Sequence, residues 1–396
     1  MDGAGRDGLK QEVLSRLERL QRSLRQGGFD GALLLHAVDV LYFSGTRQNG
    51  ALWVPASAQP SLLVRRSLER ARAESPLPGV RPFPPGRELA ALFGGGRRVG
   101  LCFDVTRVAQ LEWWRRHLPG IEFADVGGLV REQRSVKSPL EIGLMREGGR
   151  RLAAAIAEVP SFLRAGMREV DVAAEVEARL RRAGNEGSPR LRAPNMEIFT
   201  GLVVSGEAGA EPGAFDGPVV GRGLSAASPV GPSERVIAAG EPVLVDYTAL
   251  FGGYVVDMTR IFVVGDLDAE LARALDLAIA IQDEIAPRLA PGSIPADLFD
   301  TAADRAEAAG MGAFFMGAGV DTARFVGHGV GMELDELPVL APGFAEPLVE
   351  GQVVALEPKF LFPGLGAVGV ENTWAVTRSG GEKLTPLPDA LVCIPP

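Results

Sequence analysis

The chain contains the stretch Pro242-Val-Leu-Val-Asp246-Tyr-Thr-Ala-Leu-Phe-Gly252-Gly253-Tyr-Val-Val-Asp257-Met-Thr-Arg-Ile-Phe262, and this stretch decides its fold. Runs rich in Val, Ile and aromatic residues flank Gly252 and Gly253, where a positive φ has no steric cost, and the pattern predicts a β-hairpin. With a loop of even length, the odd interval between Asp246 and Asp257 puts both carboxylates on one face. They lie directly opposite each other if the turn is centred immediately before Gly252, and diagonally if Gly252 and Gly253 form the turn.

Two carboxylates on an otherwise apolar face require a proton between them, a basic partner or a metal ion. Like charges directly opposite each other on neighbouring strands are destabilising, and a buried unpaired carboxylate costs several kcal/mol. Alternatively, one of the two acids faces solvent or pairs with Arg260. The hairpin by itself leaves these alternatives open.

Composition and charge narrow the class of protein. A length of 396 residues favours two domains, and a net charge of −9 argues against a nucleic-acid or anionic-membrane partner. No apolar run reaches the roughly 18–20 residues of a membrane span, and the polar N-terminus lacks a signal-peptide core. Cys102 and Cys393 lie far apart in apolar runs, which is typical of a reducing compartment. We therefore expect a soluble, cytoplasmic protein.

The N-terminal third has the pattern of a small α/β domain. An amphipathic helix over Leu9–Gln26 precedes short apolar strands that alternate with polar or helical segments. The predicted strands are Ala32–Leu35, Ala51–Val54, Leu62–Val64 and Val99–Phe103, and a short helix is predicted near Arg66–Arg72. The run Gly94-Gly95-Gly96 precedes a strand instead of joining a strand to a helix, so it does not indicate a dinucleotide-binding loop.

A domain boundary is predicted before Ser138, which can cap a helix that has Pro139 at its first position and Glu141 at its third. We expect residues 1–135 to form a small N-terminal α/β domain and residues 136–396 to form a second, larger domain. The Gly-, Pro- and Ser-rich tract Gly184–Gly240 is long enough to indicate a functional loop or lid. Further helices are predicted over Val170–Ala183, Asp268–Leu289 and Pro295–Ala309, followed by a β-rich C-terminal third.

Three further stretches place metal-type side chains on strands or tight turns. His328 lies within Gly327-His-Gly-Val-Gly331, and Glu357 and Glu371 each end an apolar run. An acid at the end of a buried strand needs a partner, and the chain has few internal bases to supply one. These acids therefore also need a metal ion or a basic partner.

The order of these motifs resembles that of the pita-bread metallopeptidases. The shared pattern is an Asp, a second Asp eleven residues later within Gly-Tyr-x-x-Asp-x-Thr-Arg, then Gly-His-Gly-x-Gly, Glu-Pro and a late Glu. The two-domain layout, with Val-Lys-Ser-Pro-x-Glu at the boundary, is similar to the creatinase, aminopeptidase P and prolidase branch across nearly the whole chain. The resemblance implies an α/β plus α+β fold class, with a small creatinase-like domain followed by a pita-bread domain.

The resemblance also implies metal ligands at the matching positions, which are Asp246, Asp257, His328, Glu357 and Glu371. In the family, the residues that match Asp257 and Glu371 bridge two divalent cations, so two ions are expected. An oxygen-rich set with one imidazole favours Mn or Co, and after them Fe or Zn. Such a pair of ions activates a water that attacks a polarised carbonyl, and Glu357 is expected to take the proton of that water.

Three positions depart from the family pattern. Gly213 and Asp335 stand where the peptidases carry histidines, and Gly369 stands where they carry an arginine. We interpret Asp335 as a general base, as a carboxylate that orients a ligand or a substrate ammonium, or as an ordinary salt-bridge or cap acid. The adjacent Glu336 is retained, and it is expected to be catalytic together with Glu357.

These observations lead to three hypotheses. The first is a dinuclear-metal hydrolase that cleaves small peptides at X–Pro bonds, with Arg190, Arg192 or Arg222 as substrate contacts that replace the missing arginine. The alternative is a metal-dependent enzyme that acts on a small non-peptide molecule, either a C–N hydrolase or a lyase, with Asp335 as the base. The third is a binding protein on the same scaffold, although a retired site gains nothing from keeping four clustered acids. A homodimer is expected from the resemblance alone.

Overall fold

A computed structural model describes residues 3–93, 95, 97–193, 200–213 and 215–396 of the protein. Gly94 and Gly96 of the glycine run lie outside these residues, as do positions 194–199 and 214 of the predicted functional loop. Among the described helices, none is long and apolar enough to cross a membrane.

The first of two compact units extends to Arg134 and includes Arg192. Its elements are α1 (Gly3–Gln26), β1 (Gly31–Leu34), α2 (Ala37–Ser44), β2 (Gly50–Pro55), β3 (Ser61–Val64), α3 (Leu68–Glu74), β4 (Val80–Pro82), β5 (Arg98–Leu101), α4 (Val108–His117), β6 (Glu122–Asp125) and α5 (Gly127–Ser135). The sheet has the order β4-β3-β2-β1-β5-β6, with β1 antiparallel to β2 and parallel to β5. The predicted strands are confirmed to within two residues at each end, whereas α1 begins earlier than predicted.

The core of this unit forms where the mixed sheet meets α4. Leu33, Trp53 and Val99 come from three neighbouring strands, and they join Trp114 of α4 in one buried cluster. The alternating strand pattern buries these side chains on one face, and the aromatic rings supply much of the buried apolar area. This arrangement is the α/β domain that the sequence predicted.

The second unit begins at Ser135 and contains the predicted ligands. Its helices are α6 (Pro139–Ala157), α7 (Val159–Phe162), α8 (Glu169–Arg182), α9 (Ala269–Ile285) and α10 (Pro295–Ala308). Its strands are β7 (Gly201–Ser205), β8 (Val243–Phe251), β9 (Tyr254–Val264), β10 (Gly317–Ala318), β11 (Asp321–Thr322), β12 (Gly327–Gly329), β13 (Glu336–Leu340), β14 (Val353–Leu356), β15 (Lys359–Phe362), β16 (Gly366–Gly369), β17 (Glu371–Thr377), β18 (Gly380–Lys383) and β19 (Val392–Ile394). The main sheet has the order β13-β12-β14-β17-β9-β8-β7, and β15 pairs separately with β16.

The hairpin of β8 and β9 has the second of the two predicted registers. Gly252 and Gly253 form the turn, with φ angles of 59° and 83°, and both angles are in the region that favours glycine. Asp246 therefore pairs with Thr259, and Asp257 lies two residues away on the same face. The two carboxylates are diagonal neighbours, as the Gly252-Gly253 turn predicts.

The predicted capping box at the start of α6 is confirmed. Ser138 Oγ accepts a hydrogen bond from the backbone N–H of Glu141, and Ser138 N–H donates to Glu141 Oε2 at 2.8 Å. The other oxygen of Glu141 accepts from the hydroxyl of Tyr254 at 2.7 Å. Since Tyr254 opens β9, this local cap also ties α6 to the turn of the hairpin.

Helix α9 packs against the ribbon of β15 and β16, and α10 packs against α9 and β13. Leu275 of α9 belongs to the same buried cluster as Phe360 and Val368 of the ribbon. The buried positions Leu271, Leu275, Ala278 and Ile285 recur along α9 with the spacing of an amphipathic helix that has one face in the core. Helix α9 therefore supports the ribbon through apolar contacts.

Candidate metal centre

Consecutive strands of the main sheet bring the predicted ligands to one wall of a cavity. The strands β12, β14, β17, β9 and β8 are neighbours in that order. In the same order, they carry His328, Glu357 (directly after β14), Glu371, Asp257 and Asp246. All five side chains line the same cavity. Asp257, His328 and Glu371 each offer a ligand atom, and these atoms lie within 4.8 Å of one another.

Asp257 has an unsatisfied oxygen in this group. The residue is buried, and its Oδ1 atom has no hydrogen-bond partner within the described chain. Burial raises the pKa of the Asp257 carboxyl well above its usual range, and the charges of Glu371 and Asp246 raise it further. A divalent cation would provide the missing partner and favour the charged carboxylate. The residues present therefore fit a metal ion, with Asp257, His328 and Glu371 as the group that can hold it.

Lys359 enters the same cluster, and sequence reasoning missed it. Its Nζ atom donates to Glu357 Oε2 at 2.7 Å, to Glu371 Oε2 at 2.9 Å and to Asp246 Oδ2 at 3.0 Å. Only 2% of the side chain is exposed. Burial alone would lower the pKa of Lys359, but the three carboxylates outweigh it and raise the pKa well above its usual value. The sequence pattern gave no sign that one of the few internal bases, at the start of β15, would meet these acids.

Two residues of β9 position Glu371 from the other side. The hydroxyl of Thr259 donates to Glu371 Oε2 at 2.8 Å, and the Arg260 guanidinium donates to the backbone oxygen of Glu371 at 2.9 Å. Arg260 also forms a buried ion pair with Asp389, at 2.8 Å. The alternative that Arg260 pairs with one of the hairpin acids was therefore wrong, since its charge is directed to Asp389.

The predicted catalytic acids Asp335 and Glu336 lie in different surroundings. Asp335 lines the cavity, its side chain is half exposed, and its Oδ1 atom lies 3.6 Å from Nδ1 of His328. Glu336 is buried and accepts a hydrogen bond from Lys137 Nζ at 3.1 Å. Nδ1 of His328 lies closer to the backbone oxygen of Leu334, at 3.3 Å, so the backbone positions the imidazole and Asp335 contributes its nearby negative charge. A catalytic role for Glu336 stays a prediction, because its carboxylate forms a buried ion pair outside the described lining of the cavity.

The two glycines that stand where the resemblance implies larger residues differ in their surroundings. A Cβ atom on Gly369 would lie 2.6 Å from Cγ of Lys359 and 2.7 Å from the backbone oxygen of Pro358. Gly213 is exposed, and a Cβ atom there would lie 2.4 Å from a methyl carbon of Val220. The position of Gly369 therefore has no room for the arginine that the resemblance implies.

The three arginines predicted as substrate contacts all have other partners. Arg190 donates to the backbone oxygens of Gly253 and Met332, Arg192 pairs with Asp39 and Asp104, and Arg222 pairs with Glu207 and Glu211. Arg192 belongs to the first unit, and the other two belong to the second. None of them is among the described residues that line the cavity, so substrate binding by these arginines stays a prediction.

The remaining lining of the cavity is largely apolar. It includes Phe215, Pro218, Val219, Val230, Phe325 and Leu334. A small molecule in this cavity would meet carboxylates and an imidazole on one side and hydrocarbon on the other. Such a cavity can orient a compact ligand by its polar end, with an apolar ring or side chain against the opposite wall.

Comparison with known proteins agrees with this architecture. Residues 16–136 match the model of the Creatinase/Prolidase N-terminal domain, and residues 143–378 match that of Metallopeptidase family M24. The chain is 26% identical over 376 residues to a Xaa-Pro dipeptidase of Pyrococcus furiosus. This alignment covers 93% of this chain and 97% of the relative. It is 25% identical over 403 residues to a probable dipeptidase PepE of Mycobacterium tuberculosis, in an alignment that covers 96% of this chain and 96% of the relative.

Solved structures give the same result for the fold. The Xaa-Pro dipeptidase from Bacillus anthracis has a TM-score of 0.83 and 25% sequence identity, over 96% of this chain and all of that chain. The predicted order of a creatinase-type domain and a curled-sheet catalytic domain is thereby confirmed, as is the predicted class of peptidase-type hydrolase. Because the M24 model alone spans more than half of the sequence and its relatives match nearly end to end, the chain belongs to Metallopeptidase family M24.

Proposed function

We propose that this protein is a metal-dependent hydrolase of small peptides, with Xaa-Pro dipeptides as the first candidates. The observation that carries the proposal is the group of Asp257, His328 and Glu371, in which a buried carboxylate oxygen has no hydrogen-bond partner among the residues that the structure describes. Relatives named Xaa-Pro dipeptidase and dipeptidase support peptide substrates. A homodimer and a cytoplasmic location stay predictions from the sequence.

Each residue of the centre has a distinct role in this proposal. A divalent cation supplies a Lewis acid and lowers the pKa of a water molecule, and the oxygen-rich ligand set favours Mn or Co over Fe or Zn. Glu357 is the base that accepts the proton of the attacking water, since it lies beside the group with Oε1 3.6 Å from Nε2 of His328. Asp335 contributes a negative charge near Nδ1 of His328, and the apolar wall receives the proline ring.

One specific observation supports a second candidate function, that of a C–N hydrolase or lyase that acts on a small non-peptide molecule. Gly213, Asp335 and Gly369 replace groups that the resemblance assigns to the peptide carbonyl and carboxylate. Loss of one donor of this kind costs about 10²–10³ in rate. Asp335 would then be the base, because it lines the cavity and is half exposed.

Turnover of a mixed panel of X–Pro dipeptides and tripeptides tests the proposal. Protein loaded with Mn²⁺ or Co²⁺ is expected to cleave at least one member of the panel, measured by mass spectrometry. Glu357→Gln is expected to lower the rate by about 10²–10⁴, since it removes the proton acceptor. The matched control is Glu346→Gln, which makes the same chemical change at an exposed site outside the cavity lining.

The panel also separates the two candidate functions. Equal cleavage by wild type and Glu357→Gln would contradict the assigned base. No cleavage by protein with bound metal would contradict the peptidase proposal and favour the second candidate. Small C–N and C–S substrates would then be assayed, with Asp335→Asn as the variant expected to lose activity.

A further inference from the structure

The ammonium of Lys359 uses all of its donors within the centre. A lysine ammonium has three N–H donors, and Nζ of Lys359 makes one hydrogen bond to each of Asp246, Glu357 and Glu371, at 2.7–3.0 Å. An ammonium that replaced the missing family arginine as a substrate contact would have to direct at least one donor into the cavity. All three N–H donors of Lys359 are instead hydrogen-bonded to acids that were predicted to hold metal.

Glu357 and Glu371 each contact Lys359 with one carboxylate oxygen and lie near His328 with the other. The Oε2 atoms of Glu357 and Glu371 accept from Lys359, whereas their Oε1 atoms lie 3.6 Å and 3.9 Å from Nε2 of His328. Asp246 is on the side of Lys359, and the unpartnered Oδ1 of Asp257 belongs to the group that includes His328. The centre therefore has an ammonium half and an imidazole half.

A cation in the ammonium half would compete with Lys359 for the same carboxylates. An ion held between Asp246 and Glu371 would share two carboxylates that each already have one oxygen bonded to Nζ, and the two positive charges would lie within a few ångströms of each other. In a buried site, such like charges repel strongly. The imidazole half has an open position, since no described residue donates to Oδ1 of Asp257.

The backbone opposite Lys359 is adapted to the side chain. Lys359 pairs directly with Gly369 in the ribbon of β15 and β16, and any side chain at Gly369 would begin 2.6 Å from Cγ of Lys359. The family arginine implied at this position is thus replaced by a glycine, while a buried cation comes from the opposite strand. The positive charge that the resemblance implies near the substrate is thus absent, and the positive charge of Lys359 lies instead among the acids Asp246, Glu357 and Glu371.

We infer that the ammonium of Lys359 takes the place of one of the two cations implied by the resemblance, so that this chain binds a single divalent ion in the half formed by Asp257, His328 and the two glutamates. The inference rests on the proposed function, because it assumes that the centre binds metal at all. It replaces the expectation of a dinuclear centre with that of one ion and one built-in ammonium.

Metal stoichiometry and magnetic resonance of the full-length protein test this inference without an activity assay. Metal-free wild type, equilibrated with excess Mn²⁺ and then desalted, is expected to retain one Mn per chain by elemental mass spectrometry. Its electron paramagnetic resonance spectrum is expected to be that of an isolated ion. Lys359→Ala opens the ammonium half, and it is expected to retain two ions with an exchange-coupled spectrum. Lys137→Ala removes a buried lysine that pairs with Glu336 instead, and it should stay at one ion.

Each outcome supports or overturns a defined statement. Two coupled ions in wild type would overturn the inference and leave the proposed metal-dependent function intact, and this result does not depend on how any variant folds. One ion in both wild type and folded Lys359→Ala would also overturn the inference. No retained ion in wild type would overturn the inference together with the proposed function.

Discussion

Gly369 and Lys359 form a matched pair at the scale of single residues. The Cβ that an alanine would add at 369 meets both the Lys359 side chain and the backbone oxygen of Pro358 at less than 3 Å. The backbone contact cannot be relieved by a change of rotamer. The ribbon must therefore shift if this glycine is replaced.

We predict that Gly369→Ala lowers the free energy of unfolding by about 1–3 kcal/mol through overpacking. The measurement is urea denaturation followed by circular dichroism. Gly143→Ala is the matched control, because a Cβ at this position of α6 meets nothing within 4 Å. The control should stabilise the protein by roughly 0.5–1 kcal/mol, as alanine does in helices. Equal effects of the two substitutions would contradict the close packing at Gly369.

The acids and the histidine that line the cavity could be identified as candidate ligands from the sequence, whereas Lys359 could not. Asp246 and Asp257 stand out because acids in apolar strands need partners. A lysine at the start of a strand ordinarily extends its charge to solvent, so it gives no such signal. Its direction depends on the pairing of β15 with β16 and on the room left by Gly369. Only the missing arginine at 369 hinted that a positive charge had moved.

At the scale of elements, Glu169 joins two segments that line the cavity. It begins α8, it is fully buried, and it accepts hydrogen bonds from the backbone and hydroxyl groups of both Ser205 and Ser233, at 2.6–3.0 Å. Ser205 ends β7, which supplies Gly201 and Leu202 to the lining. Ser233 lies three residues after Val230, which also lines the cavity. The carboxylate of Glu169 thus fixes the distance between β7 and the segment that contains Val230.

Glu169→Ala is predicted to lower the free energy of unfolding by about 3 kcal/mol or more, because it leaves buried donors without an acceptor. It should also raise KM for the substrate of the cavity, since the lining loses its support. Chemical denaturation and steady-state kinetics measure the two effects. Glu175→Ala on the same helix removes a surface pair with Arg179 and should cost less than about 1 kcal/mol. If Glu169→Ala lowered the free energy of unfolding by as little as Glu175→Ala, the buried hydrogen bonds of Glu169 would contribute little to stability.

Elements with local causes were predicted well, and their arrangement was not. The capping box and the Gly252-Gly253 turn depend on residues a few positions apart, so the sequence pattern determines them. The order of β12, β14, β17, β9 and β8 depends on the pairing of β17 with β9, which lie more than a hundred residues apart. Periodicity within each strand carries no information about its neighbour. The resemblance to a known family supplied the fold class, and no strand order was predicted.

At the scale of the whole molecule, the clustered acids couple metal binding to stability. Four buried or half-buried carboxylates share one cavity wall, and Lys359 compensates only part of their charge. An ion that binds the folded chain and not the unfolded chain stabilises the folded state, by about 2.7 kcal/mol when its concentration is a hundred times Kd. Removal of metal should therefore destabilise the protein as a whole.

We predict that Mn²⁺ raises the Tm of metal-free wild type by several degrees, as measured by scanning calorimetry, and that chelation reverses the shift. Asp257→Asn should lose most of this shift, because it removes a charged ligand from the group that can hold the ion. Glu346→Gln, an exposed carboxylate outside the cavity lining, should keep it. An equal shift in Asp257→Asn and wild type would mean that Mn²⁺ acts elsewhere on the chain.

Gly252 and Gly253 also set a rule for insertions and deletions in the hairpin. Because strand side chains alternate between two faces, gain or loss of one residue between either acid and the turn would direct that acid away from the cavity. A change of two residues would keep both acids on the same face. Evolutionary drift in the length of this hairpin can therefore proceed only in paired steps while Asp246 and Asp257 serve one site.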